Sequence, residues 1–347
     1  MSLTASALPA RLMTYQWKVM LAAVWLATFT LLAFLPLPEN ALNAIPENAL
    51  LPPFQDPFHW LGTDQLGREI NWYLVAATQT AWWLTFPPLL GATLIGIIIG
   101  TTSAHFAKKP LKLPLLTLAL IVLALLWAIY LIYLYLGWVI AAPRAMASFW
   151  ALTFGSLLLL VIASYGITRI TSITKRSLVT LPVDEAAQRL MDFWTTFPKL
   201  LLLLLLSTLS SPSVMSMGVW IMVTYWVLPA RLARNRSLLV RNELFFEAAI
   251  ALGLPHPALL IRHLWPSMKG QLITNFCFNA SGLLGIGSTL AFLGIGLPAD
   301  VPTWGKMLSL ARFSLESWWL LLFPATLLLL SIISLQAVGN YLSKRNI

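Results

Sequence analysis

The sequence predicts an all-α polytopic membrane protein with about eight transmembrane helices. Three observations carry that expectation. Hydrophobic residues make up 59% of the 347 positions and charged residues only 10%, whereas a soluble domain carries roughly 25% charged residues. Seven stretches, 19–38, 70–107, 113–143, 145–168, 200–230, 270–299 and 317–343, contain no Asp, Glu, Lys or Arg, and about 20 apolar residues suffice to cross a bilayer. The Lys and Arg residues gather between these stretches with a strong preference for one side.

Taken in order, residues 1–18 form a cytoplasmic N-terminus holding Arg11 and Lys18, and 19–37 form the first transmembrane helix. That apolar run exceeds the 7–15 residues of a signal-peptide core, so it is expected to stay as an anchor. Residues 38–72 form an external segment, rich in Pro, with Glu39, Glu47, Asp56, Asp64 and Glu69. Its 60–69 end is expected to be ordered. The second transmembrane helix is 73–107. Residues 108–181 supply an inserted two-helix hairpin and a cytoplasmic connection, and 182–343 supply the main helical core.

Within that core, the run 200–230 is long for one span and short for two. Ser207 to Ser216 reads as a turn, and two spans fit if the first begins near Met191 and brings Lys199 to the boundary, where its ammonium can snorkel. Parity supports this choice. With eight spans, both termini inside and 344–347 as a cytoplasmic tail, only Arg68, Arg144, Lys306 and Arg312 of the 22 Lys and Arg residues fall outside. A single span would export the whole basic cluster from Arg231 to Lys269.

The net charge of +10 does not indicate nucleic acid, because its basic residues lie between apolar runs and not on one water-facing surface. The partner it implies is the lipid bilayer. Cys277 is the only cysteine, which excludes an intrachain disulfide and a thiolate zinc site; no metal is expected. No phosphate-binding Gly-x-x-x-x-Gly-Lys-Ser/Thr loop occurs, since the one Gly-Lys pair, Gly305-Lys306, is followed by Met307. The chain is therefore expected to hold no cofactor. Apart from Asp192 and Lys199 the spans lack ionisable groups, so energy is expected to arrive from outside the bilayer.

The longest water-accessible segment is the cytoplasmic loop 231–271. Its first half has helical character, Gly253 offers a stop reinforced by Pro255 and Pro257, and Pro257 to Leu264 reads as a short amphipathic helix ended by Pro266. Two short helices joined at a glycine would make a rigid knob.

Glu247-Ala248-Ala249, then Gly253, Arg262-His263 and Pro266, resembles the EAA loop of bacterial ABC importer permeases, in the form used by the C-type subunit of the dipeptide/oligopeptide/nickel group. Gly62-Thr63-Asp64-Gln65-Leu66-Gly67-Arg68 resembles that family's external motif. Ala291-Phe292-Leu293-Gly294-Ile295-Gly296 and Pro302-Thr303-Trp304-Gly305 resemble two further family motifs, in the family's order. The likeness covers about 1–104 and 182–340. It implies a permease core with six family-like spans plus the inserted hairpin at 108–181. It also implies an inner-membrane location and four kinds of partner: a second homologous permease, two ABC ATPase subunits or domains that bind ATP and Mg, and an external substrate-binding protein. The loop would be the coupling element, with Glu247, Ala248, Ala249, Gly253, Pro257, Leu260, Ile261, His263 and Pro266 as its residues. Small residues suit close packing, glycine turns the chain, and Leu259, Leu260 or Ile261 would fill the ATPase groove. The chain departs from the family at the hairpin, at its C-terminal ending, and at Glu69-Ile70-Asn71-Trp72 after the external motif.

The rival reading is a membrane-embedded enzyme or a non-transporting subunit using the external His59, Asp64, Arg68 and Glu69. Asp64 reads more plainly as a turn or cap residue. His256 and His263 read as interface or capping residues, and His105 as a membrane-edge residue.

Overall fold

The structure, a computed structural model, describes residues 7–55, 59–108, 111–114, 127, 178–314 and 316–345. The helices are α1 (Ala7–Ala33), α2 (Ile70–Lys108), α3 (Val183–Thr195), α4 (Lys199–Ser207), α5 (Val214–Tyr225), α6 (Val227–Val240), α7 (Leu244–Ala251), α8 (His256–Leu259), α9 (Trp265–Phe292), α10 (Trp304–Ala311) and α11 (Trp319–Arg345). Residues 113–168, where the inserted hairpin is expected, lie largely outside the described residues.

The chain divides into two compact units, one of Met1–Ala104 with Ala187–Ile347 and the other His105–Ala186. In the smaller unit, strands β1 (Leu111–Pro114) and β2 (Leu178–Leu181) pair antiparallel, Leu111 opposite Leu181. This ribbon and an isolated antiparallel bridge between Thr63 and Glu69 are the departures from an all-helical fold among the described residues.

In the larger unit the core gathers Phe29 of α1, Ile70, Tyr73 and Ala77 of α2, Met217 and Ile221 of α5, Leu283 and Leu284 of α9, Trp304 of α10 and Leu320 of α11. Close crossings set its geometry. A Cβ on Gly100 would stand 2.2 Å from the Ala230 carbonyl oxygen, and one on Gly305 would stand 2.1 Å from that of Ser288. Glycine is what lets α2 meet α6, and α10 meet α9, backbone to backbone. The outside is apolar as well: Leu21, Val24 and Leu31 on α1 and Leu321, Leu329 and Ile333 on α11 are exposed, the reverse of a surface adapted to water.

Among the described residues, α2 and α11 are each long and apolar enough to cross a membrane. The second apolar run is helical over the whole of 73–107 and begins three residues earlier, at Ile70. One expectation needs correction. The span proposed to begin near Met191 is broken, because α3 and α4 meet at 86° where Pro198 precedes the first residue of α4; proline cannot donate the amide that a continuous helix requires. With 9 residues α4 is about 14 Å long, under half the bilayer core. The turn within 207–216 is present, with Ser213 capping α5 through the Ser216 amide.

Candidate functional site

Loop 231–271 has its own small core. Ala233 and Val240 of α6, Phe246 and Ala249 of α7, Leu259, and Leu264, Met268 and Leu272 pack together, with Leu254 against them. Phe246 and Ala249 share one face because they stand three residues apart on a helix. Arg236 ties α6 to the start of α9 by donating to Gln271 Oε1 at 2.8 Å.

The turn after α7 is built by hydrogen bonds that only a left-handed residue permits. Leu254 N donates to Ala249 O and Gly253 N to Ile250 O, the paired bonds of a Schellman cap. Gly253 has φ +76°, the left-handed conformation favoured by glycine. Leu254, one residue past it, joins Ala249 in the small core, so the cap also fixes where α8 begins.

Beyond α8 the expectation of a helix ended by Pro266 is overturned. The chain passes through a π-helical turn, Leu260–Leu264, directly into α9, with Pro266 in the first turn of that helix. A proline there sacrifices no hydrogen bond, because the first turn's amides have no helical acceptor. The π turn rotates the side chains, so that Leu259 is buried in the small core while Leu260 and Ile261 face outward, Ile261 at 64% exposure. Leu259 therefore drops out as a groove-filling residue.

The remaining loop residues divide between two faces. Ala249 is buried, whereas Glu247, Ala248, Gly253 and Pro266 are exposed. His263 is half-buried, its ring 5.7 Å from that of Phe245 and 6.4 Å from that of Phe246, an interface-type packing position. The backbones of His256 and Pro257 lie in α8. Leu244, Phe245, Ile250 and Leu252, which the motif did not single out, are exposed. Their signal was present as apolar residues in a segment outside the apolar runs.

The external motif is a tightly bonded turn. Asp64, 1% exposed, accepts from the Leu66 and Arg68 amides at 2.9 Å each and binds the Arg68 guanidinium through Nε and Nη2 at 2.7 Å. Its role as a turn residue is thus visible. Gly62 and Gly67 both have positive φ, and a Cβ on Gly67 would strike the Ile45 carbonyl oxygen at 1.8 Å. Thr63 accepts from the Leu51 amide, donates to Asn48 O and offers its own carbonyl to Trp319 Nε1. Gln65 Nε2 donates to Leu310 O. Together these bonds fasten the motif to α10 and α11. His59 lies 3.6 Å from Glu69, but the Asp64 carboxylate is already engaged by Arg68 and the turn amides. No group of three or more His, Cys, Asp or Glu side chains suited to a metal occurs among the described residues.

A second Schellman cap ends α9. Ile295 N donates to Leu290 O and Gly294 N to Ala291 O, with Gly294 at φ +75°; Phe292 and Leu293 form the last turn and Gly296 turns again at φ +88°. Thr303 caps α10 through the Lys306 amide, and Trp304 is buried against the Phe29 ring at 5.8 Å. Lys306 Nζ donates to the carbonyls of Pro298 and Val301. Burial lowers its pKa below the usual lysine range, with Asp300 opposing and Arg68 reinforcing the shift.

Residues 177–347 match the family model described as binding-protein-dependent transport system inner membrane component. Three of the four motifs lie within it; the external motif precedes it. The chain is 31% identical over 158 residues to the oligopeptide transport system permease protein OppC of Haemophilus influenzae, covering 45% of this chain and 51% of the relative. It is 30% identical over 159 residues to OppC of Salmonella typhimurium, covering 46% and 53%. To the dipeptide transport system permease protein DppC of Alkalihalophilus pseudofirmus it is 28% identical over 159 residues, covering 46% and 52%. The matches span about half the length of these relatives. The resemblance to C-type permeases of the dipeptide/oligopeptide/nickel group, read from the motifs, agrees with them.

Proposed function

We propose that this chain is the permease subunit of an ATP-driven ABC importer, forming half of a translocation pathway for peptides or a similar small solute. The observation that carries the reading is the knob at 244–264. It packs on α6 and the start of α9 through a small core, turns at a glycine cap and carries an outward apolar surface at Leu244, Phe245, Ile250, Leu252 and Ile261, which suits docking into a partner's groove. A second, related permease completes the pathway, two ATPase subunits or domains supply ATP hydrolysis with Mg, and an external substrate-binding protein delivers the solute. The relatives' names, permease proteins of peptide transport systems, support this set.

In this reading the chain spans the bacterial inner membrane with both termini in the cytoplasm, as the distribution of Lys and Arg favours. Purification in mild detergent, followed by mass spectrometry of what co-purifies, tests the assignment. An ATPase and a second permease are expected. Recovery of the chain without any nucleotide-binding partner, under conditions that keep other membrane complexes intact, would contradict it.

A further inference from the structure

The elbow between α3 and α4 encloses a cavity of about 160 Å³ lined by Trp194, Thr195, Phe197, Lys199, Tyr225 and Leu228 among others. Its chemistry is lopsided. Lys199 Nζ donates to Asn279 Oδ1 at 3.1 Å and stands 4.4 Å from the centre of the Tyr225 ring, and an ammonium has three donors to place. Asn279 is itself oriented by donating to Asn275 Oδ1 at 2.9 Å, which turns its one acceptor toward the lysine. The Tyr225 hydroxyl, on a residue 2% exposed, and the Trp194 indole N–H are buried without a hydrogen-bond partner among the described residues. Lys199 also opens α4, whose N-terminus has no side-chain cap, so first-turn amides add further donors.

Donors thus outnumber acceptors, and one positive charge has no carboxylate paired with it among the described residues. Asp192, on the same elbow, is held by Arg231 at 2.6 Å, and Arg231 also donates to Thr195. The Tyr225 hydroxyl and the Trp194 N–H are buried donors, each costing about 1–3 kcal/mol when left unpaired, and Lys199, itself exposed, lends its positive charge to the same lining, so the cavity favours an occupant with anionic oxygens.

The surroundings select the source. The helix α3 is amphipathic, with Asp184, Glu185, Arg189 and Asp192 among its polar residues and Met191 and Trp194 among its apolar ones, a pattern that suits a membrane interface even though its polar side is mostly acidic. The apolar α4 leaves it at 86°, which sets the elbow at headgroup depth. Phe197, Leu201 and Leu205 are exposed alongside the cavity, as a surface for acyl chains would be.

We infer that this elbow is a binding site for an anionic phospholipid, its phosphate received by Lys199, Tyr225, Trp194 and the first turn of α4. The inference takes from the proposed function only that the chain is a membrane protein. In nanodiscs both leaflets are open to the probe, so the outcome is independent of topology and of ATPase coupling.

The test is native mass spectrometry of the full-length chain, with any subunits that co-purify, after transfer to nanodiscs of phosphatidylglycerol or phosphatidylcholine and release. Wild type is expected to retain one phosphatidylglycerol and no phosphatidylcholine. Retention should fall about tenfold in Lys199→Met, persist in Lys199→Arg, and fall several-fold in Tyr225→Phe, which keeps the ring and removes only the hydroxyl. Equal retention by wild type and Lys199→Met would overturn the inference. So would displacement of the lipid by millimolar inorganic phosphate or an acetylated dipeptide, which would assign the site to a soluble anion. Tyr225→Phe keeps the test decisive if Lys199→Met does not accumulate.

Discussion

The amide of Leu254 donates to the carbonyl of Ala249 at 3.2 Å, and the chain can make that bond because Gly253 between them holds φ +76°. The cap thereby fixes the angle between the helix bearing Glu247 and the outward-facing Leu260 and Ile261. Among the described residues, nothing lies within 4 Å of a Cβ built on Gly253. A side chain there meets no steric clash, only the backbone preference.

Gly253→Val should therefore cost about 1–2 kcal/mol at the cap and little elsewhere. The protein is expected to insert and accumulate nearly as wild type, while co-purification of the ATPase falls about tenfold, since ~1.4 kcal/mol is tenfold in an assembly constant. Glu247→Ala, on the exposed face, should show the same loss more mildly. Quantitative immunoblotting of the ATPase in each purified variant, beside substrate uptake, checks both.

Much of this geometry was legible in the sequence because it is local. Gly253 before Pro255 announces a left-handed turn, and Asp64 two residues before Leu66 and four before Arg68 announces the bonded loop. The uncharged stretch 70–107 foretells α2 almost to the residue. What the sequence concealed depends on partners distant in the chain. The 86° elbow lies at 196–198, just ahead of the run 200–230, where Pro198 signals a break but does not set its angle. Pro266 looked like a stop, since a proline ends one helix or begins the next according to where the flanking hydrogen bonds lie. Which of Leu259, Leu260 and Ile261 faces outward depends on a π turn that apolar spacing does not encode.

Asp64→Asn should loosen the external segment. The amide keeps one oxygen for the turn amides but gives up the charge that Arg68 binds, and Arg68 is itself largely buried. The loss is expected to be roughly 3 kcal/mol, the low end for breaking a buried pair. Limited proteolysis of detergent-purified protein should show cleavage within 38–69 that wild type resists.

Gly100→Ala tests the crossing of α2 with α6. The added methyl would lie 2.2 Å from the Ala230 carbonyl oxygen and 3.0 Å from the Ala233 Cβ, so the helices must separate and forfeit packing along the contact. A destabilisation of about 1–3 kcal/mol is expected, as for overpacking elsewhere. Thermal unfolding in detergent should register a lower midpoint. Gly282→Ala, where a Cβ meets nothing within 4 Å, should leave the midpoint nearly unchanged.

The outward face of the knob is the heart of the proposed coupling, and Ile261 is its most informative residue. It is exposed at 64% and lies outside the knob's own core, so Ile261→Asp should leave folding intact, while a carboxylate placed in an apolar groove costs several kcal/mol unless it finds a partner. The deciding measurement is the amount of ATPase recovered with Ile261→Asp relative to wild type at equal permease accumulation. The account predicts at least a tenfold loss, with substrate uptake falling alongside it. Undiminished ATPase recovery together with normal uptake would show that the knob only packs on its own bundle, and the coupling role assigned to 244–264 would be wrong.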